Sequence, residues 1–398
     1  MQIFLKPNRS VALLVMCQAL YLCASAIGLT LTGLVGAMLA PARSLATLPF
    51  ALVTVATALS TIPVSLSMAR WGRKPLFLLG TLAGVMGGCL AALAIVQSSF
   101  LWFCIANLFL GLFQASAQYY RFAATEAASM DFRPKAIGLV IAGGVVAAVA
   151  GPTLAAWARD ALAPHTFAGS YLSVLALSAA SALVLSHLKL PRNAPGPSQI
   201  ASTPLRVFLR NPSFIAAVTN STLGYATMIF VMTATPLAVL GCGLTVGNAA
   251  SVIQWHLLAM FAPGFFTGRL IERWGVFTIQ LAGGALYVLG GVVALTGTSL
   301  TTFVCALALY GVAWNFSFVG GTNLLMQVLV HASPADRARA QAANEFLTFA
   351  AVAIGSLLAG ATFDASGWGT VNWLVFPLSA AMVSVTLWSL LKNLQSGT

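Results

Sequence analysis

The stretch MARWGRKPLFLLG, residues 68–80, returns as IERWGVFTIQLAG, residues 271–283, with Arg70, Trp71 and Gly72 repeated as Arg273, Trp274 and Gly275 at an offset of 203. Each copy is a short basic loop between two long apolar runs. A repeat at about half the chain length means that one structural unit is used twice. Working outward from the two copies, every neighbouring segment proves apolar enough and long enough to be a membrane helix.

Of the 398 residues, 59% are hydrophobic and only 7% are charged, with a mean hydropathy of +0.93. No soluble core hides that much apolar surface, so the composition demands a polytopic membrane protein. Apolar runs occupy roughly 11–39, 45–68, 75–97, 100–129, 136–158 and 168–188, then 213–240, 246–271, 276–297, 300–330, 340–362 and 370–391. Each is long enough to cross about 30 Å of hydrocarbon. The expected fold is therefore all-α, with 12 transmembrane helices in two six-helix halves, residues 1–188 and 213–398. Residues 189–212, KLPRNAPGPSQIASTPLRVFLRNP, are rich in Pro, Ser and basic residues and read as a cytoplasmic linker. The opening MQIFLKPNRS resembles a signal-peptide start, but the apolar run after it is too long for one, so it reads as an uncleaved first span.

The formal charge of +12 comes from basic residues scattered singly through short loops rather than gathered on a face, which argues against a nucleic-acid partner. They report topology. With alternating spans, Lys6, Arg9, Arg70, Arg73, Lys74, Arg133, Lys135, Lys189, Arg192, Arg206, Arg210, Arg269, Arg273, Arg337, Arg339 and Lys392 share one side, leaving Arg43 and Arg159 opposite and Arg121 within a span. The positive-inside rule puts both termini in the cytoplasm. Six cysteines without paired spacing give no disulfide framework. An enzyme is not expected, because no nucleophile stands near a base and no glycine loop is set to hold phosphate.

Two six-span halves with a central linker and repeated loops resemble the major facilitator superfamily of transporters. The loop signature of that superfamily, G-x-L-x-D-R-x-G-R-K, keeps Arg70, Gly72, Arg73 and Lys74 in the first copy, with Ser65, Ser67 and Ala69 in place of Gly, Leu and Asp. The second copy keeps Gly268, Leu270, Glu272, Arg273 and Gly275. With Ala69 in place of the acid, the resemblance implies that the amino half has lost a gating charge pair and that the lock rests on Glu272 and Arg273. Span five carries a degraded form of a glycine-rich antiporter bend, Gly138, Ala147, Gly151-Pro152 and Ala155-Ala156, which helix packing explains equally well.

Span seven places Met228 and Met232 four residues apart, and span eight does the same with His256 and Met260. On a helix each pair shares a face. Thioether and imidazole suit copper, while methionine also fills apolar cores and a lone histidine often bonds a carbonyl. Both readings stay open on spacing alone. Cys242 lies in the turn between these spans and is a candidate redox or capture thiol. The ionisable residues Arg121, Glu126 and Glu345 lie within spans and are candidates for substrate contact, proton coupling or a structural charge network. Tyr225, Gln254, Trp255, Trp314 and Asn315 supply aromatic and amide groups for a planar organic solute, or for packing.

The Met-x-x-x-Met and His-x-x-x-Met pairs, with WNFSFVGGTNLL in span ten, resemble the CcoA-like copper importers of the bacterial inner membrane, close to riboflavin transporters. That resemblance implies Met228, Met232, His256 and Met260 as metal ligands, copper as transported ion rather than bound cofactor, and delivery for cytochrome c oxidase assembly. It also implies cytoplasmic copper-accepting proteins as partners and a monomer in the bilayer. The alternatives are import of an organic solute such as riboflavin, or export of drugs or metabolites.

Overall fold

The computed structural model describes residues 8–42, 45, 48–190 and 208–396. Lys6, Arg43, Arg192, Arg206 and most of the expected linker lie outside them. Span one is Arg9–Leu39, span two Leu48–Trp71, span three Arg73–Val96 and span six Ala168–Ser186. Span four is interrupted at Gln118 and Tyr119, giving Phe100–Ala117 and Tyr120–Ala127. Span five is interrupted at Gly143, between Arg133–Ala142 and Gly144–Trp157. Span seven is Pro212–Gly241, span nine Val276–Leu295 and span ten Leu300–Val328. Span eight is bent by 40° between Val246–Phe261 and Gly264–Trp274, where Pro263 cannot donate to the helix ladder.

Ten described helices are long and apolar enough to cross a membrane, and the bent pair makes eleven. The twelfth is hidden in the continuous run Pro334–Gln395. Its 62 residues would reach about 93 Å as one straight helix, three times the hydrocarbon thickness. The run breaks at Gly367, whose φ of 73° and ψ of −177° are not helical. Span eleven precedes that break and span twelve, including Val375–Ser396, follows it.

The chain divides into two compact units, Met1–Ser198 and Gln199–Thr398. Both are wired alike. In the first, span one packs on spans five and six, span three on four and six, and span two on four. In the second, span seven packs on eleven and twelve, span nine on ten and twelve, and span eight on ten. Two glycine pairs show the same duplication. Gly72 and Gly275, with φ of 89° and 82°, make the turns of the repeated loop in a conformation that only glycine adopts freely. Gly111 on span four lets span two approach, since a Cβ there would meet the Val53 carbonyl oxygen at 2.6 Å; on span ten, a Cβ on Gly311 would lie 2.7 Å from the His256 carbonyl oxygen.

Large apolar side chains such as Leu59, Leu101, Leu183 and Leu357 are exposed, whereas Asn107, Asn220, Gln280, Asn315 and Glu345 are buried. That inversion suits a chain whose solvent is lipid.

Candidate functional site

Span seven begins under an Asn211 cap, its side-chain oxygen accepting from the Ser213 and Phe214 N–H groups. It runs unbroken past Tyr225, Met228 and Met232. Both methionines are buried and Tyr225 is half-buried. Span eight starts with a capping box between Thr245 and Asn248. Close contact at Gly311 presses it onto span ten, and there the fully buried His256 has its Nδ1 2.7 Å from the Leu307 carbonyl oxygen. A carbonyl only accepts, so Nδ1 carries the proton and Nε2 is left with a bare lone pair, which has no partner among the described residues.

At the bend of span eight, Asn315 acts as a clasp. Its Nδ2 donates to the Met260 carbonyl oxygen at 2.8 Å, and its Oδ1 accepts from the Thr267 hydroxyl at 2.7 Å. Asn315 is thus tied into the helix pair rather than offered to a ligand. Gln254 and Trp255 are exposed, whereas the neighbouring His256 is buried. The two sulfur-bearing pairs are hung on different supports, because span eight leans on span ten and touches span seven only lightly, while span seven leans on spans ten and eleven. Cys242 caps the end of span seven and is exposed. Among the described residues no group of three or more His, Cys, Asp or Glu side chains is placed to hold a metal ion.

What does converge is an aromatic cluster from spans seven, eight, ten and eleven. Trp314 and Phe318, one turn apart, stack with ring centres 4.9 Å apart and planes 18° from parallel. Tyr225 stands edge-on to Trp314 at 5.4 Å, to Phe318 at 5.3 Å and to Phe349 at 5.8 Å. Phe261 meets the indole of Trp314 at 5.9 Å. The indole N–H of the buried Trp314 has no acceptor among the described residues. One turn below Phe349 on span eleven, the Asn344 amide donates to the Glu345 carboxylate at 2.8 Å, and both residues are fully buried. Thr348 meets Thr222 of span seven at 3.3 Å, holding these two helices together beside the rings.

Of these residues, the sequence marked Tyr225, Trp314 and Glu345 but not Phe261, Phe318, Phe349, Asn344 or Thr348. The signal for three of them was present, since ANEFLTF spaces Asn344 or Glu345 and Thr348 or Phe349 to fall on one helix face.

The amino-terminal unit holds a charge pair that does not depend on position 69: the Arg73 guanidinium grips the Glu126 carboxylate through two bonds of 2.7 Å each, joining the start of span three to the end of span four. Lys74 donates to the Ser186 carbonyl oxygen at 2.6 Å. Arg121 bonds the Gln118 carbonyl and side-chain oxygens at 3.1 Å each and lies over the Phe122 ring, with its carbon 4.7 Å from the ring centre. In the repeated loops, Arg70 rests over Trp71 and Arg273 over Trp274, at 5.7 and 5.9 Å. Glu272 and Arg273 are both exposed, and Gly268 is buried in the bend of span eight.

Two units of similar helix wiring, lipid-facing outside and polar within, define a polytopic membrane protein built on an internal repeat. The chain belongs to the Major Facilitator Superfamily, whose pattern matches residues 13–333. It is 42% identical over 378 residues to the riboflavin transporter RfnT of Brucella anthropi, covering 94% of each chain. It is 28% identical to the uncharacterised transporter YdeG of Bacillus subtilis, over 92% of this chain and 88% of that one. Among solved structures, the transporter FucP in its outward conformation has a TM-score of 0.76 at 16% identity, covering 95% of this chain and 98% of its own. The human organic anion transporter MFSD10 has a TM-score of 0.75 at 15% identity, covering 95% and 99%. The fold and family are those of a transporter, and the twelve-span reading agrees with both.

Proposed function

We propose that this protein carries riboflavin, or a solute with the same fused planar ring, inward across the bacterial inner membrane, with both termini in the cytoplasm. The observation that carries the reading is 42% identity along nearly the whole chain to a riboflavin transporter. The aromatic cluster of spans seven, eight, ten and eleven supports it, because a planar ring is recognised through flat π-faces and a few placed polar groups. Internal repeats of this kind accompany alternating access, with the solute held at discontinuous or bent helices. The bend of span eight, clasped by Asn315, is the element suited to move.

This places riboflavin ahead of the copper suggested by the methionine and histidine spacing. Copper remains as a second reading on one observation, the bare Nε2 of His256, whose Nδ1–H is anchored on a carbonyl as metal-bound histidines are. Against it, span seven with Met228 and Met232 barely touches span eight, which holds His256 and Met260. Uptake of riboflavin and of copper by cells that express the protein, measured side by side, separates the two. Riboflavin uptake without copper uptake supports the flavin reading, and the reverse overturns it.

A further inference from the structure

We infer that Tyr225, Trp314 and Phe318 form the subsite for the solute's planar ring, with Tyr225 as a displaceable placeholder and the Trp314 indole N–H as the donor to the ring's acceptor edge. The inference rests on the riboflavin reading and deepens it. Four observations carry it. The cluster is assembled from four helices, with members near the middle of spans seven, ten and eleven. Its stacked pair, Trp314 and Phe318, is covered edge-on by the tyrosine ring. Tyr225 is half-buried where the rings around it are buried. The fourth observation is the orphaned donor. Buried indole N–H groups ordinarily find an acceptor, and that of Trp314 has none among the described residues.

The chemistry matches one ligand class. An isoalloxazine ring is flat and carries two carbonyl oxygens and bare ring nitrogens along one edge, so it offers both a stacking face and acceptors. The stacked pair is too close for a ring to enter between its planes. A ring instead takes the place of Tyr225 against Trp314, turning the tyrosine aside, and the indole N–H then gains its missing partner. Close by, the Asn344 amide and Glu345 carboxylate are placed on span eleven for the hydroxyl-bearing chain.

The test is titration of the purified, full-length protein in detergent with riboflavin, read by quenching of flavin fluorescence, which ring stacking on tryptophan produces. Wild type is expected to bind with quenching, and Trp314→Phe, which keeps a ring but loses the donor, to bind about tenfold more weakly. Lumiflavin, which has the ring without the ribityl chain, is expected to compete in the wild type while ribitol does not; this result needs no variant to fold. If wild type binds riboflavin but Trp314→Phe binds equally well and lumiflavin fails to compete, the subsite is elsewhere and the riboflavin reading stands. If wild type neither binds nor transports riboflavin, that reading falls and takes the subsite with it.

Discussion

Replacing Glu126 by Gln tests what holds the amino-terminal unit together at the repeated loop. Arg73 is the first residue of span three and Glu126 lies in the last turn of span four, so each sits at the helix end where the macrodipole disfavours its charge. They are held there by each other, through two bonds of 2.7 Å and with side chains only 13% and 19% exposed. Breaking a fully buried pair from one side costs about 3–5 kcal/mol. Residual exposure and the relief of Glu126 from its own dipole reduce this, by about 0.3–1 kcal/mol for the dipole alone, to about 2 kcal/mol net. Glu126→Gln should therefore lower the unfolding temperature in detergent by roughly 4–8 °C, taking the scale for a domain of this size. Arg73→Gln should do the same, and the double variant should fall well short of the sum, with a coupling energy of about 1.5–2 kcal/mol. Arg73→Lys should recover only part, because an ammonium cannot fork onto both carboxylate oxygens. The assay is thermal unfolding followed by tryptophan fluorescence across the double-mutant cycle. A coupling below about 0.5 kcal/mol, the range of an exposed pair, would refute the reasoning.

Gly311→Ala drives a Cβ onto the backbone of span eight, which cannot give way as a side chain can, and should cost about 1–3 kcal/mol in the same unfolding assay. Gly111→Ala should cost a similar amount in the other unit; a silent result at both would mean the helices sit further apart than described. Asn315→Leu unfastens the clasp at the bend of span eight and should cost about 1–3 kcal/mol, with slower riboflavin uptake at equal membrane abundance. Copper(I) binding, measured by competition against a chromophoric chelator, should be weak and unchanged by Met228→Leu. Tight binding that is lost in Met228→Leu and in His256→Leu would put copper ahead of riboflavin.

The fold was largely legible because lipid imposes a simple rule. A segment that must satisfy every backbone group internally and face hydrocarbon announces itself as a long apolar run, and the repeat at Arg70-Trp71-Gly72 and Arg273-Trp274-Gly275 paired the halves. The breaks at Gln118, Gly143 and Pro263 were less visible, since a bent span reads as apolar as a straight one. At the site, residue type misled where spacing alone was available. Met228 and Met232 do share a helix face, but the same face carries Tyr225 one turn earlier, and two of the rings against that tyrosine are phenylalanines, with a third, Phe261, against Trp314. With 24 phenylalanines in the chain, nothing local marks Phe261, Phe318 and Phe349 as a set. The Arg73–Glu126 pair spans 53 residues and depends on where span four ends against span three, which periodicity does not fix. Asn315 drew attention as an amide for a planar solute or for packing, and its partners, a backbone carbonyl near a bend and a threonine on the far side of it, exist only in the folded helix pair.

The measurement that bears most directly on the central claim is riboflavin entry into proteoliposomes containing only the purified protein, preloaded with unlabelled riboflavin and offered the radiolabelled vitamin outside. The account predicts transient accumulation of label above the external concentration, abolished in protein-free vesicles and suppressed by external lumiflavin. Vesicles that take up no labelled riboflavin, while the same preparation accumulates copper, would contradict it.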